Sequence, residues 1–254
     1  MTRLVAAALL GLALAAPARA EAPAGLCAAP SELIRLHGTL ARTALRIARR
    51  EPLTIVAIGS SSTAGSGASA PSRTYPSQLA EELRRQLPGE TVAVLNKGIG
   101  GETTDKMLRR FDRDVFAHRP DLVIWQLGTN AVLRGLDLAA RAQNVRQGLG
   151  RLKAAGIDVI LMDMQFAPAV TSRPGYREME DEIASLAKAQ GVPLFRRFAV
   201  MRHWVEAGQF SAATMLAPDG LHMNDASYRC LGRMLADAIV DDARPAVATA
   251  TARR

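Results

Sequence analysis

Segments that favour β-strands alternate with segments that favour α-helices along this chain of 254 residues. The predicted strands are short apolar runs rich in β-branched residues, at 53–58, 91–95, 121–127, 157–162 and 192–195. The predicted helices lie between and around these strands, at 32–50, 76–87, 104–117, 138–155 and 176–190, with helical turns to about 207 and a last helix at 225–240. This alternation indicates an α/β fold with a five-stranded parallel sheet, because parallel strands need long crossovers, usually helical, to connect them.

The composition excludes several classes of protein. Hydrophobic residues make up 48% of the chain, which is enough for a packed core and excludes wholesale disorder. The net charge is +8, but the basic residues are scattered in pairs, and aromatic residues amount to only 4%. These two features argue against nucleic-acid binding. Two cysteines and four histidines without metal-ligand spacing predict no metal site.

The first twenty residues have the composition of a targeting segment. A basic start, Met1–Arg3, precedes an apolar run, Leu4–Ala16, and the small-x-small pattern Ala18-Arg19-Ala20 follows. We interpret residues 1–20 as a cleaved signal peptide, because the apolar run is too short to span a bilayer. This predicts an exported protein, periplasmic or secreted, without stable membrane insertion.

The rest of the chain divides into an N-terminal segment with a helix, one α/β domain and a disordered Ala/Thr/Arg-rich tail, at 21–52, 53–243 and 244–254. Cys27 lies in the first part, and Cys230 lies in the last predicted helix. In an oxidising compartment the two can form a disulfide. Alternatively, Cys230 packs as a small apolar side chain and Cys27 is free. The sequence leaves both interpretations open.

Three loops rich in small residues follow the first three predicted strands. They are Gly59–Gly65, Asn96–Thr104 and Gly128–Asn130. Because the carboxyl ends of parallel strands meet at one edge of a sheet, we expect these loops to lie together and to bind a ligand. A carboxylate and an imidazole, Asp219 and His222, stand shortly before the last predicted helix.

These residue types are the ones that nucleophilic acyl transfer needs. A serine hydroxyl is unreactive at neutral pH unless a histidine accepts its proton, and a carboxylate holds that histidine in the required tautomer. A backbone N–H group and an asparagine amide can stabilise the oxyanion of the tetrahedral intermediate. The three loops, together with Asp219 and His222, contain all of these groups.

The order of these motifs resembles that of the SGNH (GDSL-like) hydrolases. The shared pattern is Gly-x-Ser after the first strand, Gly after the second, Gly-x-Asn after the third and Asp-x-x-His near the carboxyl terminus, over about residues 53–240. The resemblance implies a flavodoxin-like, three-layer α/β/α fold. It also implies a serine ester hydrolase that needs no cofactor and acts on small-molecule or polysaccharide esters, such as a carbohydrate O-acetylesterase or a short-chain carboxylesterase.

The same resemblance implies a role for each site residue. Ser61 would be the nucleophile, His222 the general base and Asp219 the residue that orients His222. The oxyanion hole would consist of the backbone N–H groups of Ser61 and Gly101 and the side-chain amide of Asn130.

Two positions depart from the family pattern. Ser60 and Ala131 stand where the family usually has aspartate, so polar groups that tune the site in relatives are missing here. Ser60 and Ser62 also compete with Ser61 for the role of nucleophile. The Gly-x-Ser spacing of the family favours Ser61.

Other functions fit parts of the same pattern. A lysophospholipase or thioesterase would use the same residues with a different pocket, and a non-catalytic glycan-binding protein could retain the fold. A phosphate-binding loop at Gly59–Gly65 is disfavoured, because the lysine of nucleotide-binding loops is missing. Gln165 and Phe166, which follow the fourth predicted strand, either line the acyl pocket or anchor the loop.

Overall fold

The computed structural model describes residues 26–136 and 138–252, so the predicted signal peptide lies outside the described residues. The described residues contain five strands, which are β1 (Leu53–Gly59), β2 (Val92–Gly98), β3 (Leu122–Gln126), β4 (Asp158–Met162) and β5 (Leu194–Phe195). All neighbouring strands pair in parallel, in the order β2-β1-β3-β4-β5. The predicted five-stranded parallel sheet is confirmed, and its strand order is that of flavodoxin-like folds.

The helices connect these strands and extend the chain at both ends. Before β3 they are α1 (Ser31–Ile34), α2 (Ala41–Arg49), α3 (Ser61–Ala64), α4 (Tyr75–Gln86), α5 (Thr104–Arg109) and α6 (Phe111–Asp114). After β3 they are α7 (Thr129–Leu133), α8 (Leu138–Ala154), α9 (Pro168–Thr171), α10 (Tyr176–Gln190), α11 (Arg197–Glu206), α12 (Ala212–Met215) and α13 (Asp225–Ala252).

Two layers of helices cover the sheet. The helices α2, α4 and α13 pack together on one face, where α4 contacts β2 and α2 contacts β1. The helices α5, α8 and α10 pack together on the other face, as right-handed crossovers require for this strand order. Every residue of β3 is buried between the two layers, which explains its continuous apolar sequence. The predicted three-layer α/β/α architecture is therefore confirmed.

Two predicted helices are interrupted in the structure. The predicted helix at 32–50 consists of α1 and α2, separated by residues 35–40, where His37, Gly38 and Thr39 are weak helix formers. The predicted helix at 104–117 consists of α5, α6 and a 3₁₀ turn. An amphipathic pattern reports which face is apolar, and it persists across such breaks.

The structure corrects the prediction of a last helix at 225–240 followed by a disordered tail from residue 244. Helix α13 continues to Ala252, although Pro245 lies inside it. Two contacts hold the chain beyond residue 240: the backbone N–H of Leu40 donates to the Asp242 carboxylate over 2.9 Å, and Ala243 is buried. The following alanines favour continuation of the helix.

Cys27 and Cys230 form a disulfide, so the first of the two interpretations applies. Their Cα atoms are 5.0 Å apart, and 203 positions of sequence separate them. The bond joins the segment before α1 to the second turn of α13, and both residues are buried. The N-terminal segment is thereby fixed to the layer that contains α13.

Candidate active site

The carboxyl edge of the sheet brings the first two loops into contact. Gly59, the last residue of β1, pairs with Gly98, the last residue of β2. A Cβ atom at Gly98 would overlap the backbone of Thr63 and Ala64, so the absence of a side chain lets β2 approach α3 closely. The helix that begins with Ser61 therefore rests directly on the end of β2.

Ser61 is the serine that contacts His222. It is the first residue of α3, its side chain is half-buried, and its Oγ lies 2.7 Å from Nε2 of His222. The first N–H groups of a helix have no partner within the helix, so the backbone N–H of Ser61 can bind a ligand atom.

The two neighbouring serines are engaged elsewhere. Ser60 is 1% exposed, and both its backbone N–H and its hydroxyl donate to Oε1 of Gln126, over 2.9 and 3.0 Å. Ser62 is equally buried and donates to Oε1 of Gln165 over 3.2 Å. Both hydroxyls point into the protein, which leaves Ser61 as the serine at the surface of the site.

His222 is held from both sides. Its Nδ1 lies 2.5 Å from Oδ2 of Asp219, while its Nε2 faces Ser61. The side chain of His222 is 13% exposed and that of Asp219 is 48% exposed. Burial opposes the charge on Asp219, but hydrogen bonds from the His222 ring and from the backbone N–H groups of His222 and Leu221 outweigh it. The pKa of Asp219 consequently lies below its ordinary value.

The loop that carries Asp219 and His222 is anchored at its base. Leu216 and Met223 form an antiparallel bridge, and the backbone N–H of Ala217 donates to the carbonyl of His222 over 2.8 Å. The side-chain amide of Asn224 donates to the carbonyl of Thr214 over 2.7 Å. These bonds close the loop into a tight turn, so the imidazole has little freedom to leave Ser61.

Two of the three predicted oxyanion residues, Gly101 and Asn130, lie on adjoining loops. Nδ2 of Asn130 donates to the backbone carbonyl of Glu102 over 2.9 Å, which brings Asn130 against the residue that follows Gly101. One amide hydrogen of Asn130 remains available, since a side-chain amide has two. Asn130 is the second residue of α7, directly after the end of β3.

A buried arginine, which was not identified from the sequence, connects the end of β1 to the loop that contains Gly101. Arg110 donates to the carbonyl of Gly59 over 3.2 Å, and it forms ion pairs with Glu102 over 2.7 Å and Asp114 over 2.8 Å. It thereby ties the end of β1 to the loop that contains Gly101. No local sequence signal could have found it, because charged residues on a helix are ordinarily solvated.

Two buried glutamines hold the serine run and the loop after β3, and only Gln165 of the two was singled out from the sequence. Gln126 receives the two donors of Ser60, as described above. Gln165 accepts hydrogen bonds from Ser62, from Thr129 over 2.8 Å and from Arg197 over 3.0 Å. Gln165 therefore anchors the loops, which was one of its two predicted alternatives. A glutamine at the end of an apolar, buried strand was the available signal for Gln126.

Phe166 and Ala131, which the sequence also singled out, are both packed against other parts of the protein. Phe166 packs edge-on against Phe198, with ring centroids 5.3 Å apart. Ala131, which replaces the aspartate expected from the family resemblance, is 4% exposed, so a buried methyl group stands at this position. Within residues 26–136 and 138–252, no group of three or more His, Cys, Asp or Glu side chains is arranged to bind a metal. In the same residues, no helix combines the length and the hydrophobicity that crossing a membrane requires.

This chain has relatives among known protein families and proteins. The model of the non-GDSL lipase-like family matches residues 26–245. An arylesterase of Vibrio mimicus is 28% identical over 169 residues, which are 66% of this chain and 79% of the relative. Thioesterase 1/protease 1/lysophospholipase L1 of Escherichia coli K12 is 31% identical over 145 residues, 57% of this chain and 66% of the relative.

Solved structures of esterases share the fold. A two-domain esterase active on acetylated mannans superposes with a TM-score of 0.71 and 21% identity, over 84% of this chain and 56% of that one. This chain therefore spans little more than half of that protein's length. A mutant form of an acetyl-xylooligosaccharide esterase from Geobacillus stearothermophilus superposes with a TM-score of 0.63 and 22% identity, over 74% of this chain and 94% of that one.

Proposed function

The chain belongs to the non-GDSL lipase-like family and is an ester hydrolase, and on that basis we propose that it is an exported serine esterase with a Ser61–His222–Asp219 triad. The observation that carries the proposal is the continuous hydrogen-bonded series from Ser61 Oγ through the His222 ring to Asp219 Oδ2, with separations of 2.7 and 2.5 Å. The separation of 2.7 Å between Ser61 Oγ and His222 Nε2 is within the reach that general-base activation of a serine requires.

The reaction begins with attack on the ester carbonyl. Ser61 Oγ attacks the carbonyl carbon while Nε2 of His222 accepts the hydroxyl proton. The Asp219 carboxylate holds Nδ1 of His222 as the donor and stabilises the imidazolium that forms. Its lowered pKa keeps it ionised at neutral pH, as this role requires. His222 then gives the proton to the departing alcohol, and the acyl group remains on Ser61.

Hydrolysis of the acyl-enzyme by water completes the reaction. His222 accepts a proton from a water molecule, which attacks the acyl-enzyme, and the acid departs as Ser61 recovers its hydrogen. In both halves, the N–H groups of Ser61 and Gly101 and the amide of Asn130 stabilise the oxyanion. The contact between Asn130 and the carbonyl of Glu102 supports this assignment, because it orients the amide before substrate binds.

We propose a small acyl group, such as acetyl on a polysaccharide or small molecule, as the substrate. An acetylxylan esterase of Geobacillus stearothermophilus is 36% identical over 64 residues, 25% of this chain, which supports an acetyl ester. The alternative is a longer acyl chain, as in the thioesterase/lysophospholipase relative.

The acyl chain length is tested with 4-nitrophenyl acetate, butyrate and octanoate. We expect kcat/KM to be highest for acetate. Preference for octanoate would favour the lysophospholipase or thioesterase alternative. A protein that cleaves none of the three and is not labelled by a fluorophosphonate probe would be the non-catalytic glycan-binding protein.

Export is part of the proposal, and the disulfide supports it. Disulfides persist in oxidising compartments and are rare in the cytosol. The proposed signal peptide, residues 1–20, predicts a mature chain that begins at Glu21. Intact mass and N-terminal sequencing of the protein recovered outside the cytoplasm test this. A chain that retains Met1, or one found in the cytoplasm, would contradict it.

A further inference from the structure

Arg134 stands at a fixed backbone position next to the proposed oxyanion hole. It follows the last residue of α7, the helix that contains Asn130. The backbone N–H groups of Gly135 and Leu136 donate to the carbonyls of Val132 and Ala131, over 3.1 and 3.0 Å, and Gly135 has a left-handed φ of 60°. This is the Schellman arrangement that ends helices. The backbone at Arg134 is thus set by the end of α7.

The side chain of Arg134 extends to the neighbouring loop. Its Nη2 donates to the backbone carbonyl of Gly101 over 2.7 Å, so one guanidinium bridges the loops that contain Asn130 and Gly101. A guanidinium has five N–H donors. Among the described residues, Arg134 takes part in no salt bridge, and its side chain is exposed. Donors and charge therefore remain for a ligand.

Apolar side chains lie on the same two loops. Ile99 is 41% exposed and stands two positions before Gly101, while Leu136 is 37% exposed and stands two positions after Arg134. These are two of the three large apolar side chains of the described residues that are exposed to this degree. A cation next to exposed apolar surface suits a ligand that combines a carbon skeleton with a negative charge.

We propose that Arg134 binds a carboxylate carried by the substrate, so that the enzyme prefers esters with an anionic substituent. The inference rests on the proposed function and adds a substrate class to it. An ester carbonyl held at Gly101 and Asn130 lies next to the guanidinium, and a carboxylate a few bonds away reaches the free donors. The carboxylate lies either in the acyl part or in the alcohol part of the ester.

Two pairs of esters, in each of which the two members differ by one charge, distinguish a carboxylate in the acyl part from one in the alcohol part. The 4-nitrophenyl monoester of succinic acid is compared with 4-nitrophenyl succinamate, and 4-acetoxybenzoate is compared with 4-acetoxybenzamide. For each pair we measure the ratio of kcat/KM for the anionic ester to kcat/KM for the neutral one. In at least one pair, Arg134→Gln should lower this ratio about fivefold, the effect of a partly exposed ion pair. Arg134→Lys should retain most of it.

The matched control is Arg49→Gln. Arg49 ends α2, which leads to the amino end of β1, opposite the edge where Ser61 lies, and its side chain is 60% exposed. This substitution removes the same charge and should leave both ratios unchanged. The wild-type preference should also fall as the salt concentration rises from about 0.01 to about 1 M, where screening shortens from about 30 to about 3 Å.

The results distinguish a failure of this inference from a failure of the proposed function. If Arg134→Gln slows the anionic and neutral esters by the same factor in both pairs, Arg134 only holds the Gly101 loop and this inference is wrong, while the proposed function stands. If no ester is cleaved in a manner that depends on Ser61, the proposed function fails and this inference fails with it.

Discussion

Three consecutive serines follow β1, and the partners of each side chain determine what it can do. Ser60 and Ser62 are buried against Gln126 and Gln165, which lie 66 and 103 positions away in sequence. The Gly-x-Ser spacing of the family favoured Ser61 over its two neighbours as the nucleophile. The glutamines that hold its neighbours could not be predicted, because their contacts form only when β1, β3 and β4 assemble.

The stability of the protein should depend on pH through Asp114, a buried carboxylate whose partner Arg110 contacts the end of β1. Asp114 pairs with Arg110, which also contacts Gly59 and Glu102. Hydrogen bonds from Arg113 and Arg110 hold the pKa of Asp114 well below its ordinary value of 3.8, against the opposing effect of burial. Asp114→Asn should lower the free energy of unfolding by about 3 kcal/mol at neutral pH, because Arg110 loses a buried partner.

Asp114 should stabilise the folded protein less as the pH falls. Because the pKa is lower in the folded state, the stabilisation by Asp114 is complete above about pH 4 and is lost as the pH falls further. Urea unfolding at several pH values should show the gap between wild type and Asp114→Asn narrowing below about pH 4. The control is Asp112→Asn, since Asp112 is 80% exposed. A gap that stays constant with pH would refute this assignment.

At the scale of elements, the sequence predicted the sheet better than the helices. Each strand contains a short apolar run, such as Val92–Leu95 in β2 and Val159–Met162 in β4, so its position follows from the sequence pattern. The helices at 32–50 and 104–117 were predicted as continuous, because their apolar faces continue across the breaks. The short helices α3 and α7, which carry Ser61 and Asn130, were predicted only as loops; each has five residues or fewer. Such turns are stabilised by tertiary contacts and leave little periodic signal.

Contacts between elements at the carboxyl edge converge on Gln165. Gln165→Met keeps the size of the side chain but removes the acceptor of Ser62, Thr129 and Arg197. Buried donors without partners are costly, so we expect the free energy of unfolding to fall by about 2 kcal/mol or more. The rate constant kcat should fall as well, because the loops that carry Ser61 and Asn130 lose a common anchor.

The control for this substitution is Gln190→Met at the exposed end of α10. It should change the free energy of unfolding by less than about 0.5 kcal/mol, as surface substitutions usually do. Chemical denaturation and ester hydrolysis measure both quantities. Equal stability of Gln165→Met and wild type would show that Gln165 does not anchor these loops.

At the scale of the whole molecule, the Cys27–Cys230 disulfide closes almost the entire fold into one loop. It fixes the N-terminal segment to α13, which also packs against α2 and α4. The sequence left this pairing open, because the proximity of two cysteines so far apart in sequence depends on the docking of α13.

The double variant Cys27→Ser/Cys230→Ser should unfold more easily than the wild type. Loss of a disulfide that closes a long loop costs about 2–5 kcal/mol, because the unfolded chain gains conformational freedom. Urea unfolding should show a lower midpoint for the variant, and reductant should shift the midpoint of the wild type alone. Hydrolysis under native conditions should persist, since neither cysteine touches the candidate site. Identical midpoints without reductant would contradict a stabilising disulfide.

The central claim is that Ser61 is the nucleophile of an ester hydrolase. The most direct measurement is the rate of 4-nitrophenyl acetate hydrolysis by the wild type and by three variants, Ser60→Ala, Ser61→Ala and Ser62→Ala. Ser61→Ala should lower kcat about 10⁴-fold or more, as loss of a triad nucleophile does. The other two variants each remove one buried hydrogen bond, so they should remain within about tenfold of the wild type. A Ser61→Ala protein that hydrolyses the ester as fast as the wild type would contradict the account.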